Sequence, residues 1–232
     1  MRYYGGKYRI RKDLWNVLNK EAEGRVFVDL FCGACNVVEG ITTANHRIAN
    51  DNNPYLISLL KAIQSGWEPP ENVSKEMYKR AMNYQYDDAL NGFILIGCTY
   101  GGGFRNGYAH NANGKNYAKG AKNALLKQKT KLADVEFVCR DYRIVEIPEG
   151  AVVYCDPPYK DTCLKYYDSK FDYDRFIDWC ESNKNRYKIF VSEYKKNKNS
   201  DWETVYERKS YTTICKNLNS RKSTTEILQK VV

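Results

Sequence analysis

Histidine is almost missing from this chain: two in 232 residues, His46 and His110, far apart in the sequence. A histidine-based metal centre is therefore not expected. The one Cys-x-x-Cys, Cys32 to Cys35, has no second Cys pair or His pair at ligand spacing to complete a zinc site. No apolar run approaches a membrane span, and the opening MRYYGGKYRIRKDL lacks the apolar centre of a signal peptide. An intracellular protein with no membrane partner is the expectation. Its eight cysteines then read as reduced and mostly buried rather than as a disulfide framework. Internal repeats and low-complexity linkers are also missing, which argues against a solenoid or an array.

A sharper absence lies in the middle of the chain. From residue 89 to residue 133 there is no Asp or Glu, while Arg105, Lys115, Lys119, Lys122, Lys127, Lys129 and Lys131 all fall there. Seven of the nine excess positive charges sit in this segment. A solvated helix face normally mixes signs, so a polyanion partner is expected, because neutralising phosphates releases condensed counterions.

What is present describes one α/β domain with an insertion. The chain is 43% hydrophobic, enough for a real core, and its 20 tyrosines supply rings that suit both cores and wet stacking surfaces. Apolar spacing predicts a helix over 9–20, a buried strand over 25–31 running into Cys32-Gly33-Ala34-Cys35 and a helix after it, a strand over 47–51, and a helix over 55–63. Strand alternating with helix is the rhythm of a parallel sheet. That rhythm breaks for about 70 residues, with helices expected over 74–84, 88–98 and 121–132 and Gly- and Asn-rich loops or a hairpin over 100–119. Strands return at 135–139, 151–155 and 187–192, with a helix over 171–184. A final antiparallel pair is expected at 203–209 and 225–231. The expected domains are a sheet body of 1–66 and 134–232, interrupted by an inserted region of 67–133.

The strongest local signal is Asp156-Pro157-Pro158-Tyr159, directly after the strand of residues 151–155. At average residue usage it arises by chance in roughly one chain in a thousand of this length. Its chemistry suits an amino group on an aromatic base, a weak nucleophile because its lone pair is delocalised. A carboxylate (Asp156) and a backbone carbonyl (Pro157) accepting the two N–H bonds favour a more tetrahedral nitrogen and stabilise its developing positive charge. Two prolines stiffen the turn and remove competing N–H groups. Tyr159 offers a ring for a base rotated out of a duplex. Ligands of open α/β sheets bind beyond the carboxyl ends of the strands, where this motif falls.

Here the chain resembles the Dam-type, D12-class DNA adenine methyltransferases. Tyr3-Tyr4-Gly5-Gly6-Lys7 looks like their N-terminal aromatic-x-Gly-Gly-Lys element. Asp29-Leu30-Phe31-Cys32-Gly33-Ala34-Cys35-Asn36 resembles their cofactor loop, with Cys35 where a second glycine is usual. Asn50-Asp51-Asn52-Asn53 resembles the acidic strand end at the cofactor ribose, and Phe190-Val191-Ser192-Glu193-Tyr194 the strand after the catalytic motif. The landmarks come in the family's order and cover most of the chain.

The resemblance implies a Rossmann-like, doubly wound methyltransferase sheet that uses S-adenosylmethionine to methylate adenine N6 in double-stranded DNA. By it, Tyr3, Tyr4, Gly5, Gly6, Lys7, Asp29, Phe31, Gly33, Asp51, Asp141 and Asp156 form the cofactor side, with Tyr3 and Lys7 at the methionine part and Asp51 at the ribose hydroxyls. Asp156, Pro157, Pro158 and Tyr159 form the catalytic side. Arg105, Asn106, Tyr108, Lys119, Lys122, Lys127, Asn219 and Arg221 are expected on DNA, Arg105 at guanine and the lysines at phosphates. Asn111, Asn113 and Asn116 read as adenine contacts or as turn residues. The insertion lacks the family's usual GATC-reading segment, and the compact chain looks more like solitary methylases of phages or prophages, acting in the cytoplasm without an obligate protein partner.

Rival readings keep the fold and change the acceptor to cytosine N4, an RNA base or a protein amide. Others keep DNA binding and lose catalysis, or take Cys32-x-x-Cys35 as a thioredoxin-like pair. The last explains neither the Asp-Pro-Pro-Tyr element nor the basic insertion.

Overall fold

In a computed structural model of the chain, residues 1–109, 115–160, 171–212 and 222–232 are described. Seven strands form one sheet in the order β3-β2-β1-β4-β5-β7-β6. They are β1 (Val26–Asp29), β2 (His46–Asn50), β3 (Val135–Val138), β4 (Val152–Cys155), β5 (Lys188–Tyr194), β6 (Glu203–Thr212) and β7 (Lys222–Lys230). The first five run parallel; β7 is antiparallel to both β5 and β6. The chain moves outward from β1 to β3 and then returns to lay β4 beside β1. That reversal opens a crevice at the carboxyl ends of β1 and β4.

The strands are apolar on both faces because helices cover both. Alternate residues point to opposite sides. Phe27, Val152, Tyr154, Phe190 and Leu228 join one core with Leu14 and Leu18 of helix α1 (Arg11–Ala22) and Leu56, Leu59 and Leu60 of α2 (Pro54–Gln64). Val28, Val153, Cys155, Ile189 and Val191 join the other with Phe176 and Cys180 of α6 (Tyr173–Asn183).

Side-chain caps set the helix starts. Asn53 accepts from the Tyr55 and Leu56 amides at the head of α2, with Pro54 at the first position. Ser74 caps α3 (Lys75–Met82), Asp87 caps α4 (Asp88–Gly92), Asn116 caps α5 (Tyr117–Lys129) and Asp172 caps α6. Asn116 is thereby engaged as a helix cap, and α5 begins four residues earlier than apolar spacing suggested. The helix expected after Cys35 is absent. Gly33 and Cys35 both take left-handed backbone, at φ +47° and +59°, which an α-helix does not accommodate. Turns and a short 3-10 segment over Val38–Gly40 fill the place. The helix expected over 88–98 is α4 continued by a π-helical stretch, Phe93–Gly97. Gly92 makes this packing possible: a Cβ there would lie 2.2 Å from the Tyr55 carbonyl oxygen, so α4 meets α2 backbone to backbone.

Residues 67–133 do not form a second core. Phe93, Ile94, Leu95 and Leu125 share the cluster that holds Phe137 of β3 and the apolar face of α2. Among the described residues no helix is long and apolar enough to cross a membrane, and no group of three His, Cys, Asp or Glu is arranged to hold a metal ion.

Candidate active site

A cavity of about 1980 Å³ opens over the carboxyl ends of β1, β2 and β4. Each strand ends on an acid: Asp29 closes β1, Asp51 follows β2 and Asp156 follows β4. The N-terminal segment carrying Tyr3 to Lys7 forms part of its wall.

Lys7 is the link that residue order alone did not reveal. It is buried, and its Nζ lies 2.7 Å from both carboxylate oxygens of Asp156. It also donates to the Gly5 carbonyl at 3.1 Å and sits 4.7 Å above the Tyr159 ring. Tyr159 and Tyr194 meet edge to face, with ring centroids 4.5 Å apart. Burial pushes the Asp156 carboxyl up from its ordinary value, and the Lys7 ammonium opposes that rise.

Asp29 is only 1% exposed, and its Oδ1 has no hydrogen-bond partner among the described residues. Burial drives its carboxyl well up, and the charges of Asp156 and Asp51 push the same way. Asp51 accepts from the Gly33 amide at 3.1 Å and the Asn53 amide at 3.0 Å, so it holds the loop after β1 and the head of α2 together. Burial raises this carboxyl too, opposed by those amides. Asp29, Asp51 and Asp156 therefore ring the same end of the cavity, with the buried Lys7 beside Asp156.

Tyr3 packs on Gly33: a Cβ there would come within 2.9 Å of the tyrosine ring. On its other side the same segment meets the insertion. The Tyr4 amide donates to the Gly102 carbonyl at 3.2 Å. A Cβ on Gly102, whose φ is +71°, would lie 2.4 Å from the Arg2 carbonyl oxygen. The loop is tied down from below as well, since the buried Gln128 of α5 donates to the Ala34 carbonyl at 2.8 Å. Phe31 packs on Tyr142 at 5.4 Å, on Phe176 at 5.7 Å and on Phe171 at 5.9 Å between centroids. Asp141 lies at the rim but engages Arg143 at 2.5 and 2.7 Å. That guanidinium holds the carboxyl below its usual range.

The expected DNA contacts divide. Asn106 lines the cavity, and its side chain donates to the Tyr100 carbonyl at 2.8 Å. Arg105 is exposed, at φ +57°, and donates to the Tyr84 hydroxyl at 3.0 Å. Lys127 is exposed on the cavity wall and has no ion pair among the described residues. Tyr108 is turned inward: its hydroxyl donates to the Val73 carbonyl at 2.6 Å and its ring packs on Tyr78. Lys122 is largely buried and pairs with Glu68 at 3.2 Å and Glu71 at 3.8 Å, while Lys119 pairs with Glu71 at 3.3 Å. The run without acids is thus partly neutralised by acids that precede it in sequence and lie beside it in space. Asn219 and Arg221, with His110, Asn111 and Asn113, lie outside the described residues.

Two acids of this region carried no role in the sequence reading. Glu193, 2% exposed at the end of β5, accepts from the Tyr173 hydroxyl at 2.5 Å, the Tyr194 amide at 2.7 Å and the Lys160 amide at 3.4 Å, bracketing the residue after the Asp-Pro-Pro-Tyr turn. Glu226 of β7 lines the cavity. No pattern in the sequence marks it, because Ile227, Leu228 and Gln229 that follow are all buried and leave no inward phase to count from.

A family model described as D12 class N6 adenine-specific DNA methyltransferase matches residues 3–94 and 78–230. The type II methyltransferase M.FokI of Planomicrobium okeanokoites is 24% identical over 207 residues, covering 77% of this chain and 31% of that protein. The chain thus spans about a third of the length of that curated relative. Among solved structures, the rRNA methyltransferase aviRa from Streptomyces viridochromogenes aligns over 98% of this chain and 86% of its own, with 11% identity and a TM-score of 0.45. A tRNA methyltransferase from M. jannaschii aligns over 97% of this chain and 47% of its own, with 13% identity and a TM-score of 0.45.

Proposed function

The chain belongs to the D12 class N6 adenine-specific DNA methyltransferases, and on that premise we propose that it transfers a methyl group from S-adenosylmethionine to the exocyclic N6 of an adenine rotated out of duplex DNA. Its Rossmann-like sheet and its cofactor are those of this class.

The residues fit the cofactor. Asp29 presents an orphaned, buried carboxyl oxygen to the cavity, which a hydrogen-bond donor or cationic group of the ligand would satisfy. Asp51 offers an ionisable carboxyl to vicinal hydroxyls. Tyr3 and Gly33 shape the floor, Tyr4, Gly5 and Gly6 carry the chain past it, and Phe31 supplies an apolar wall. Bound there, the cofactor supplies an electrophilic methyl group.

The protein's part is orientation and charge. Asp156 and the Pro157 carbonyl accept the two N–H bonds of the target amino group, and Pro158 keeps that carbonyl aimed. Lys7 fixes the carboxylate by donating to its Oδ2 and covers one face of Tyr159, so a base stacked on Tyr159 takes the other. Extruding the base costs a few kcal/mol, offset by these contacts. Residues 1–66 and 134–232 act as the catalytic body and 67–133 as the recognition region. There Arg105, Asn106 and Lys127 face the duplex, while Lys119 and Lys122 mainly hold the α5 helix to Glu68 and Glu71.

The observation that carries the reading is Asp156, clamped by Lys7 at the crevice where the strand order reverses. Single-molecule sequencing of DNA from a methylation-deficient host expressing the protein tests it. N6-methyladenine in one short motif, absent with Asp156→Ala, is the expected result. Methylated cytosine N4, or no methylated base at all, refutes it.

A further inference from the structure

Methylating an amino nitrogen leaves it with a proton to lose, and Asp156 is poorly placed to be the final acceptor. Its Oδ2 accepts from the Lys7 ammonium at 2.7 Å, and the same cation lies 2.7 Å from its Oδ1. A second carboxylate faces the same cavity. Glu226 lies opposite Tyr194 on β5 and opposite Arg208 on β6. Strand alternation puts it on the face that carries Leu228, Tyr194 and Ser192, the face onto which Tyr154 of β4 also points.

The cation directly across the ladder does not neutralise it. Arg208 instead donates to Asp13 at 2.8 Å, and Asp13 is also held by the Tyr206 hydroxyl at 2.7 Å. Glu226 has no hydrogen bond or ion pair among the described residues, yet it lines the cavity with Asp156, Pro157, Tyr159 and Tyr194. Its charge adds to the upward shifts that burial imposes on Asp156, Tyr159, Tyr154 and Tyr194, which puts it within electrostatic reach of all four.

We propose that Glu226 is the proton acceptor of the reaction, taking the proton that the methylated amino group releases. The inference rests on the methyltransferase reading above. One N–H bond of the methylated, positively charged nitrogen breaks, its electron pair returns to the nitrogen, and an O–H bond forms on a Glu226 carboxylate oxygen. The proton then leaves to solvent through the open cavity. A carboxylate without a cation is suited to this step, whereas a carboxylate held by an ammonium is suited to orienting the nucleophile.

The test uses the full chain, a duplex containing the methylation motif, and single-turnover kinetics. Glu226→Gln keeps shape and removes the acceptor; it is expected to slow methylation about a hundredfold or more, and Glu226→Asp to recover part of the loss. Glu226→Ala is expected to be slow and to regain rate saturably with added acetate, which a merely structural role would not produce. Fluorescence of a duplex with 2-aminopurine at the target, read without cofactor, is expected to match the unsubstituted protein in all three variants. A Gln variant within about threefold of the parent overturns the inference, as does an Ala variant that acetate leaves slow. Failure of the underlying reading is separable, because then the unsubstituted protein methylates no adenine, and the inference falls with it.

Discussion

Replacing Lys7 by Met removes the cation that holds Asp156 and keeps most of the stem volume, since Met is unbranched and adaptable. In the parent protein burial already sets the folded Asp156 carboxyl above its ordinary value of 3.8, with Lys7 opposing. An opposite charge at this range favours the ionised carboxyl, and Asp156 keeps 16% of its side-chain exposure, so removing the cation is expected to cost on the order of a few kcal/mol once the acid ionises. The sign follows from linkage. An acid raised in the folded state contributes stability that is complete below its unfolded value and fades as pH rises through its folded value. Without Lys7 the folded value climbs further, so the fading continues to higher pH. The variant is expected to unfold in urea close to the parent near pH 4 and to fall behind by on the order of a few kcal/mol by pH 8, at constant m-value. The acid limb of the single-turnover methylation profile is expected to move to higher pH. A stability gap that is the same at pH 4 and pH 8, or an unmoved acid limb, refutes the assignment of Lys7 as the group that keeps Asp156 ionised.

Other substitutions separate the roles of neighbouring residues. Lys127→Ala is expected to reduce the slope of log affinity against log salt for duplex DNA by about 0.9, whereas Lys122→Ala leaves it nearly unchanged because Glu68 and Glu71 already neutralise that lysine. Fluorescence anisotropy across a salt series reads both, and equal slopes would show that the local ion pairs do not matter. Gly102→Ala forces a left-handed alanine, about 1–2 kcal/mol, against the Arg2 carbonyl. Displacing the segment that carries Tyr3 to Lys7 is expected to weaken S-adenosylmethionine binding at least tenfold by calorimetry. Unchanged affinity would show that Gly102 does not set that segment.

The sheet was readable because its signals are local. Apolar strands ending on Asp29, Asp51 and Asp156 announce themselves one at a time. What was not readable depends on contacts between distant residues. Nothing near Lys7 in sequence indicates Asp156, and nothing in the lysine-rich run indicates that Glu68 and Glu71 lie beside it. Tyr108 resembles a base-stacking ring until the Val73 carbonyl claims its hydroxyl. The helix after Cys35 failed for another reason: a left-handed cysteine leaves no trace in apolar periodicity, although its stand-in position for glycine was the clue.

The close crossing of α2 and α4 bears on how this protein tolerates change. Any side chain at Gly92 would have to occupy the space of the Tyr55 carbonyl, and Tyr55 itself stacks on Phe104 and Tyr84 of the insertion. In a saturation-mutagenesis survey scored by survival of the methylation phenotype, Gly92 should therefore look as intolerant as Asp156. Scored by soluble protein, the two should part: Gly92 variants lost from the folded pool, Asp156→Asn variants retained in it. Intolerance at this crossing measures the fit of two helices, and a catalogue of immutable positions becomes a map of the chemistry only after the folded fraction has been divided out.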